Sequence, residues 1–288
     1  MDFRNILHEI EKTDPEVYEK LSPRRSVLKS FGAKVAVAAL PFAIGSLFKK
    51  AYGKTTTTTV IDVLNFALER EYFEYAFYRT ANNTGGLIPA GDLPGFKIIE
   101  SHELAHINFL NTTITALGGT PYTPNHFSDP TTEGFYVPSA YDFTKAGIYQ
   151  TFDDYPTFLV IASTFEDLGI RAHNGQFQYL LGNPVFVQAQ QMVATEGRHA
   201  SFVRLIRRLP PISAMEIPAP WINNNIPPTP ALQSYYLGED NTKQLNNIVI
   251  TSLPGLTGNI PELSATAAFD EPLDKTTVLS LLSPFILP

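Results

Sequence analysis

Cysteine is absent from this 288-residue chain, which removes disulfides, thiol catalysis and thiolate metal ligation at once. Any metal must be held by Asp, Glu, His or main-chain oxygen. Histidine is scarce as well, six residues in all, so few imidazoles are on offer for such a site. Charge is sparse at 17% and unevenly placed. Residues 1–54 carry ten Lys/Arg against six Asp/Glu, a balance of +4; the rest carries 11 against 22, a balance of −11, and the two give the −7 of the whole chain. So acidic a body lacks the concentrated basic surface that phosphates require, and nucleic acid is excluded as a partner. With 44% hydrophobic residues, the chain can bury a sizeable core.

Long apolar runs are also missing. The stretch Val35 to Phe48 is uncharged over 14 residues, short of the roughly 20 needed to span a bilayer as a helix. It follows SPRRSVLK (22–29), with Arg24 and Arg25 paired, and precedes the small-x-small triplet Ala51-Tyr52-Gly53. Together these resemble a twin-arginine signal peptide, in which Pro23 stands where a Ser or Thr is usual. The resemblance implies recognition by the twin-arginine export machinery and a place in the periplasm or cell envelope of a bacterium. An uncleaved amphipathic or membrane-anchoring helix is the alternative. Residues 1–54 are therefore set apart as a signal or N-terminal segment.

After the TTTTT linker (55–59), apolar residues recur at helical spacing from about Val60 to Thr80 until Asn82, Asn83, Gly85 and Gly86 stop the pattern. Asp92-Leu93-Pro94, a capping residue with an early proline, opens a second helix that runs to Gly118-Gly119. Residues 119–154 are rich in Pro, Gly and aromatics and show no clear period. A third helix spans Tyr155 to about Leu181, Gly182-Asn183-Pro184 forms a turn, and a fourth runs from Val185 to Leu209 before Pro210-Pro211. Short loop, long crossover, short loop predicts an all-α, ferritin-like four-helix bundle over 55–209, with the crossover between helices 2 and 3. Residues 210–288 hold 12 of the 23 prolines, yet contain Trp221, Tyr235, Tyr236, Ile248 and a helix-like run from Val278 to Phe285. They predict an irregular C-terminal arm over the bundle that contributes to a homodimer interface.

The polar residues carry the chemistry. Glu103-Leu104-Ala105-His106 and Glu196-Gly197-Arg198-His199 are the two Glu-x-x-His segments of helices 2 and 4; chance would supply about a third of one such pair. The spacing stacks a carboxylate and an imidazole on one helix face. Glu71 lies 32 residues before Glu103, and Glu166 lies 30 before Glu196, so the two hairpins repeat one plan. A Glu from each of two helices and Glu-x-x-His from each of the others is the ligand set of di-iron and di-manganese bundles. Four buried carboxylates without a cation would repel one another and be costly to desolvate; two divalent ions remove both penalties.

ALEREYFEYAFY (67–78), ESHELAHINFL (100–110), TFEDLGIRAHNG (164–175) and VATEGRHASFVR (193–204) resemble the helices of the ferritin-like domain family that includes desiccation-related and exported bacterial proteins. AAFDEPLDKTTVLSLLSPF (267–285) resembles the tail of its bacterial members, and Glu71 with Tyr78 matches the first-helix E-x6-Y of rubrerythrins and ferritins. The resemblance implies Glu71, Glu103, His106, Glu166, Glu196 and His199 as ligands of two iron or manganese ions, with dioxygen or peroxide as reactant. It leaves open whether the chain is an enzyme, since a non-catalytic envelope or stress-protection protein would keep the same fold.

Other readings weigh against a broader site. Glu74 shares a face with Glu71, which is preferred because Tyr78 follows it at seven residues. His173 is placed as a supporting or additional ligand, and Tyr78 as a core residue donating to a ligand carboxylate. Glu100 belongs one turn above the site, with solvent or an arginine. His102 lies off the stripe and is read as exposed; His126 as a surface loop residue; Arg204, Arg207 and Arg208 as cations opposing a helix dipole. Arg70 and Arg198 are the salt-bridge partners to expect if the six residues are merely structural. The crossover aromatics Tyr122, Phe127, Phe135, Tyr136, Tyr141, Phe143 and Tyr149 are expected to cover the bundle.

Overall fold

A computed structural model describes residues 57–124, 140–208, 219–245 and 247–288. The twin-arginine segment, His126, Phe127, Phe135 and Tyr136 lie outside the described residues. Four long helices dominate: α1 (Thr57–Asn83), α2 (Leu93–Ala116), α3 (Tyr155–Leu180) and α4 (Phe186–Arg207). α1 packs on α2, α3 on α4, and α1 on α3, as two hairpins joined by the crossover require. Each turn has a local cause. Gly182 adopts φ +77°, a left-handed conformation that suits glycine, and the Asn183 side chain accepts from Val185 N at 3.0 Å. Asp154 caps α3 by accepting from Thr157 N at 2.9 Å. Asp92, expected to cap α2, makes no such bond; its Oδ2 accepts from Tyr155 OH at 2.8 Å and ties the starts of α2 and α3 together.

The inner and outer helices differ. Every residue from Arg70 to Tyr78 on α1 and from Ile161 to His173 on α3 is buried, while α2 and α4 keep one face to solvent. The crossover and the arm supply the extra cover. Phe73 makes edge contacts with Tyr141 at 5.4 Å, Phe143 at 5.1 Å and Phe165 at 4.8 Å, and Phe77 stacks on Phe158 at 5.3 Å. Burying one such ring contributes roughly 1.5–3 kcal/mol, so these aromatics explain why an irregular crossover stays in place. Tyr122, against Tyr72, and Tyr149, against Phe285, extend the cover.

The C-terminal arm is mostly irregular, with two two-residue hairpins, β1 (Lys243–Gln244) with β2 (Ile248–Val249) and β3 (Pro254–Gly255) with β4 (Gly258–Asn259). The helices α5 (Glu262–Thr266) and α6 (Lys275–Leu282) follow. Its anchor is Arg171 on α3, fully buried, which donates to the carbonyls of Tyr235 at 2.5 Å, Leu237 at 2.7 Å and Glu271 at 2.8 Å and pairs with Glu239 at 2.6 Å. Next to it the arm crosses α3 at backbone distance: a Cβ on Gly175 would lie 1.8 Å from the Leu273 carbonyl oxygen, so no other residue fits there. The arm closes on the crossover through Asp142 N to Phe285 O, 2.8 Å, and the Tyr141–Ile286 bridge.

Candidate metal centre

All six residues singled out by spacing meet inside the bundle. Glu71, Glu103, Glu166 and Glu196 are at most 1% exposed and His199 is 3% exposed; only His106 retains an edge to solvent. Two groups form, Glu71, Glu103, His106 and Glu196 in one and Glu103, Glu166 and His199 in the other, with one donor atom of each residue within 4.8 Å of the rest of its group. His106 Nδ1 stands 3.0 Å from Glu71 Oε2, 3.3 Å from Glu103 Oε2 and 3.3 Å from Glu196 Oε1. His199 Nδ1 stands 2.9 Å from Glu103 Oε1, 3.5 Å from Glu196 Oε2 and 3.6 Å from Glu166 Oε2. Glu103 and Glu196 thus each turn one oxygen toward either histidine. The repetition of the two hairpins in sequence becomes a near two-fold arrangement of donors.

Most of these donors converge without bonding one another. Glu71 Oε1, both oxygens of Glu103 and Glu196, Glu166 Oε2 and His199 Nδ1 make no hydrogen bond of good geometry among the described residues. Buried oxygens aimed at a common point and left unsatisfied are costly unless a cation takes them up. The donor set fits that test: oxygen and imidazole nitrogen only, as manganese and iron accept.

Protons perform the neutralisation when nothing else does. Burial raises Glu71 and Glu166 to about 7, although His106 and His199 respectively pull them down. Burial disfavours charge on both imidazoles too. The carboxylates outweigh it and hold His106 and His199 well above the ordinary histidine range. Glu196 goes the other way: burial is overcome by the two imidazoles, and its carboxyl is held below the usual range.

The surroundings orient the donors. Tyr78 OH donates to Glu166 Oε1. His102, expected to be exposed, is instead part-buried beside the site, its Nδ1 3.0 Å from His199 Nε2 and its ring stacked 5.2 Å away. Its position just before Glu103 swings it toward α4, a geometry that a single-helix projection cannot reveal. His173 stands 3.4 Å from Glu71 through Nε2, and burial holds it neutral.

Glu74 lies as deep as Glu71 but pairs with Arg70, four residues earlier and also buried; burial raises its carboxyl well above the usual range in spite of that partner. Arg198 contacts Thr195 Oγ1 at 2.8 Å. Neither arginine expected by the structural alternative pairs with the six. Glu100 sits above the site, accepting from Arg79 at 3.0 Å and Asn82 at 2.7 Å.

Arg204 and Arg207 stand in the last turn of α4, where cations oppose the helix dipole as expected, and they also have specific partners. Both are buried: Arg204 chelates Asp167, whose Oδ2 also accepts from Tyr236 OH at 2.7 Å, and Arg207 donates to Ser163 at 3.1 Å.

No curated protein is similar enough to this chain to be matched with it. A family model described as a ferritin-like domain matches residues 59–208, more than half of the chain and all four helices that carry the donors. With that match laid over an all-α bundle whose Glu and His residues converge between its hairpins, the chain belongs to the ferritin-like domain family.

Proposed function

We propose that this chain is an exported protein whose bundle holds a dinuclear iron or manganese centre, used to oxidise ferrous iron or to consume peroxide. One observation carries the reading: Glu103 and Glu196 each direct their two oxygens to different histidines, as carboxylates shared between two ions would. Glu71 and His106 would hold one ion, Glu166 and His199 the other. Two divalent ions would balance the four carboxylates, and the pair when bound supplies redox electrons to dioxygen or peroxide.

The chain's own residues would prepare the site. Arg70 pairs with Glu74 and holds that additional carboxyl beside the site. Tyr78 fixes one oxygen of Glu166 and leaves the other to the centre. With His199 facing a bound ion through Nδ1, its proton would be on Nε2 and would donate to His102 Nδ1, 3.0 Å away, which would select the tautomer. Export rests on the paired arginines and the 14-residue apolar run; a route that carries folded proteins suits a centre loaded before export.

The test is metal analysis of the purified full chain beside a Glu103→Ala, Glu196→Ala double variant, with anomalous scattering to identify the element. Bound metal in the parent that is lost in the variant supports the reading. Equal metal content, or none in the parent after loading with ferrous or manganous salt, overturns it in favour of a structural role for the bundle.

A further inference from the structure

Beyond the Glu71 end of the donor cluster, all four helices enclose a cavity of about 20 Å³. Ten of its twelve lining residues are apolar, among them Val63, Ala67, Ala189 and Met192; His173 and Gln176 are the exceptions. His173 is 7% exposed and its Nδ1 has no hydrogen-bond partner among the described residues, while its Nε2 lies 3.4 Å from Glu71. One polar side chain therefore joins the cavity to the cluster. On its other side the cavity shares Val63 and Gln176 with an open groove of about 550 Å³ between α1, α3 and the arm, bordered by Asp62, Tyr179 and Lys275.

We propose that this cavity is a docking site for dioxygen, reached from the groove past Val63 and Gln176 and leading to the Glu71 side of the centre. The inference rests on the metal-centre reading and names its oxidant. Water or peroxide placed there would need two to four polar partners, and the walls offer only His173 and Gln176, the lower end of that need; the ten apolar residues that make up the rest of the lining suit an uncharged, polarisable guest better. Losing hydrogen bonds on transfer from water is a penalty for peroxide and none for dioxygen. Polar reactants have a different approach, at the solvent-touched edge of His106.

Xenon, a guest of the same character, tests the site without metal. Crystals of the metal-free full chain under xenon pressure should show an anomalous peak beside His173, and Ala189→Phe, a partly exposed position whose larger side chain fills the cavity, should abolish it. Ala189→Leu serves the same end if the phenylalanine variant fails to fold. After metal loading, the filled variant should react several-fold more slowly with dissolved oxygen and at the parent rate with peroxide. Absence of xenon from the parent cavity, or an unchanged oxygen rate in a variant shown to exclude xenon, overturns the proposal. Metal content is measured in the same samples, so loss of the centre is recognised separately: a parent that binds xenon but no metal refutes the metal reading, and with it the oxidant role.

Discussion

Gly169 on α3 faces the Glu74 carboxylate on α1 so closely that a Cβ there would fall 2.9 Å from Oε1 and 3.3 Å from Arg70 Nη2. The absence of a side chain is what lets a buried ion pair sit between the two inner helices. Glycine inside a helix is worth up to about 1 kcal/mol less than alanine; here the clash opposes that gain, because both members of the pair are buried and must shift together. Gly169→Ala should destabilise the protein by about 1–3 kcal/mol, the usual range for overpacking, as read by denaturant unfolding. A stabilised variant would show that the pair can shift at little expense.

Tyr78→Phe removes the donor to Glu166 Oε1 and keeps the ring among Phe77, Phe96 and Phe158. The fold should persist while metal affinity drops by about 10- to 100-fold, the range for loss of a group that orients a ligand. Competitive titration against a chelator measures it, and an unchanged affinity would mean that Glu166 is fixed by packing alone.

The two hairpin halves were legible in the chain because Glu-x-x-His spacing and helical period both act within one helix. Six donors and four helices followed from that. His102, Arg171 and Arg204 were not, since their partners lie on other elements: His102 is paired by α4, Arg171 by the arm, Arg204 by α3. The arm's path was also beyond reach, as most of its bonds are backbone contacts that any sequence makes. Glu100 and Tyr78 were placed correctly because each belongs to the same helix face as a donor, so their depth was fixed once the bundle was assumed.

Metal bound at the proposed centre would compete with protons for the same groups, and the shifts of the metal-free chain set the sign. In the metal-free chain the raised Glu71 and Glu166, and the raised His106 and His199, hold protons in the folded state that the unfolded chain releases. Their contribution is fully present below the unfolded values and is lost as pH rises, first through about 7 for the carboxyls and then higher for the imidazoles. Glu196, held low, opposes this only in the acid range. The metal-free Tm should fall between roughly pH 5 and pH 9, whereas that of the loaded protein should rise over the acid part of this range, because bound metal displaces protons that the unfolded chain keeps. Parallel curves for both forms would count against a shared site.

Arg171→Ala leaves Glu239 buried without its partner and three carbonyls without their donor. Breaking a buried pair in this way costs about 3–5 kcal/mol, and the arm should become protease-sensitive between residues 219 and 274 before the helices do. Simultaneous loss of arm and bundle would place the two in a single cooperative unit.

Where the backbone of Leu273 lies against Gly175, a position near the end of the third helix is dictated by a residue almost a hundred places further on. Kinship, recognised over residues 59–208, and self-sufficiency are therefore separate properties here. A fragment cut at the borders of the family match would retain every donor of the centre and still expose the flank on which the tail is laid.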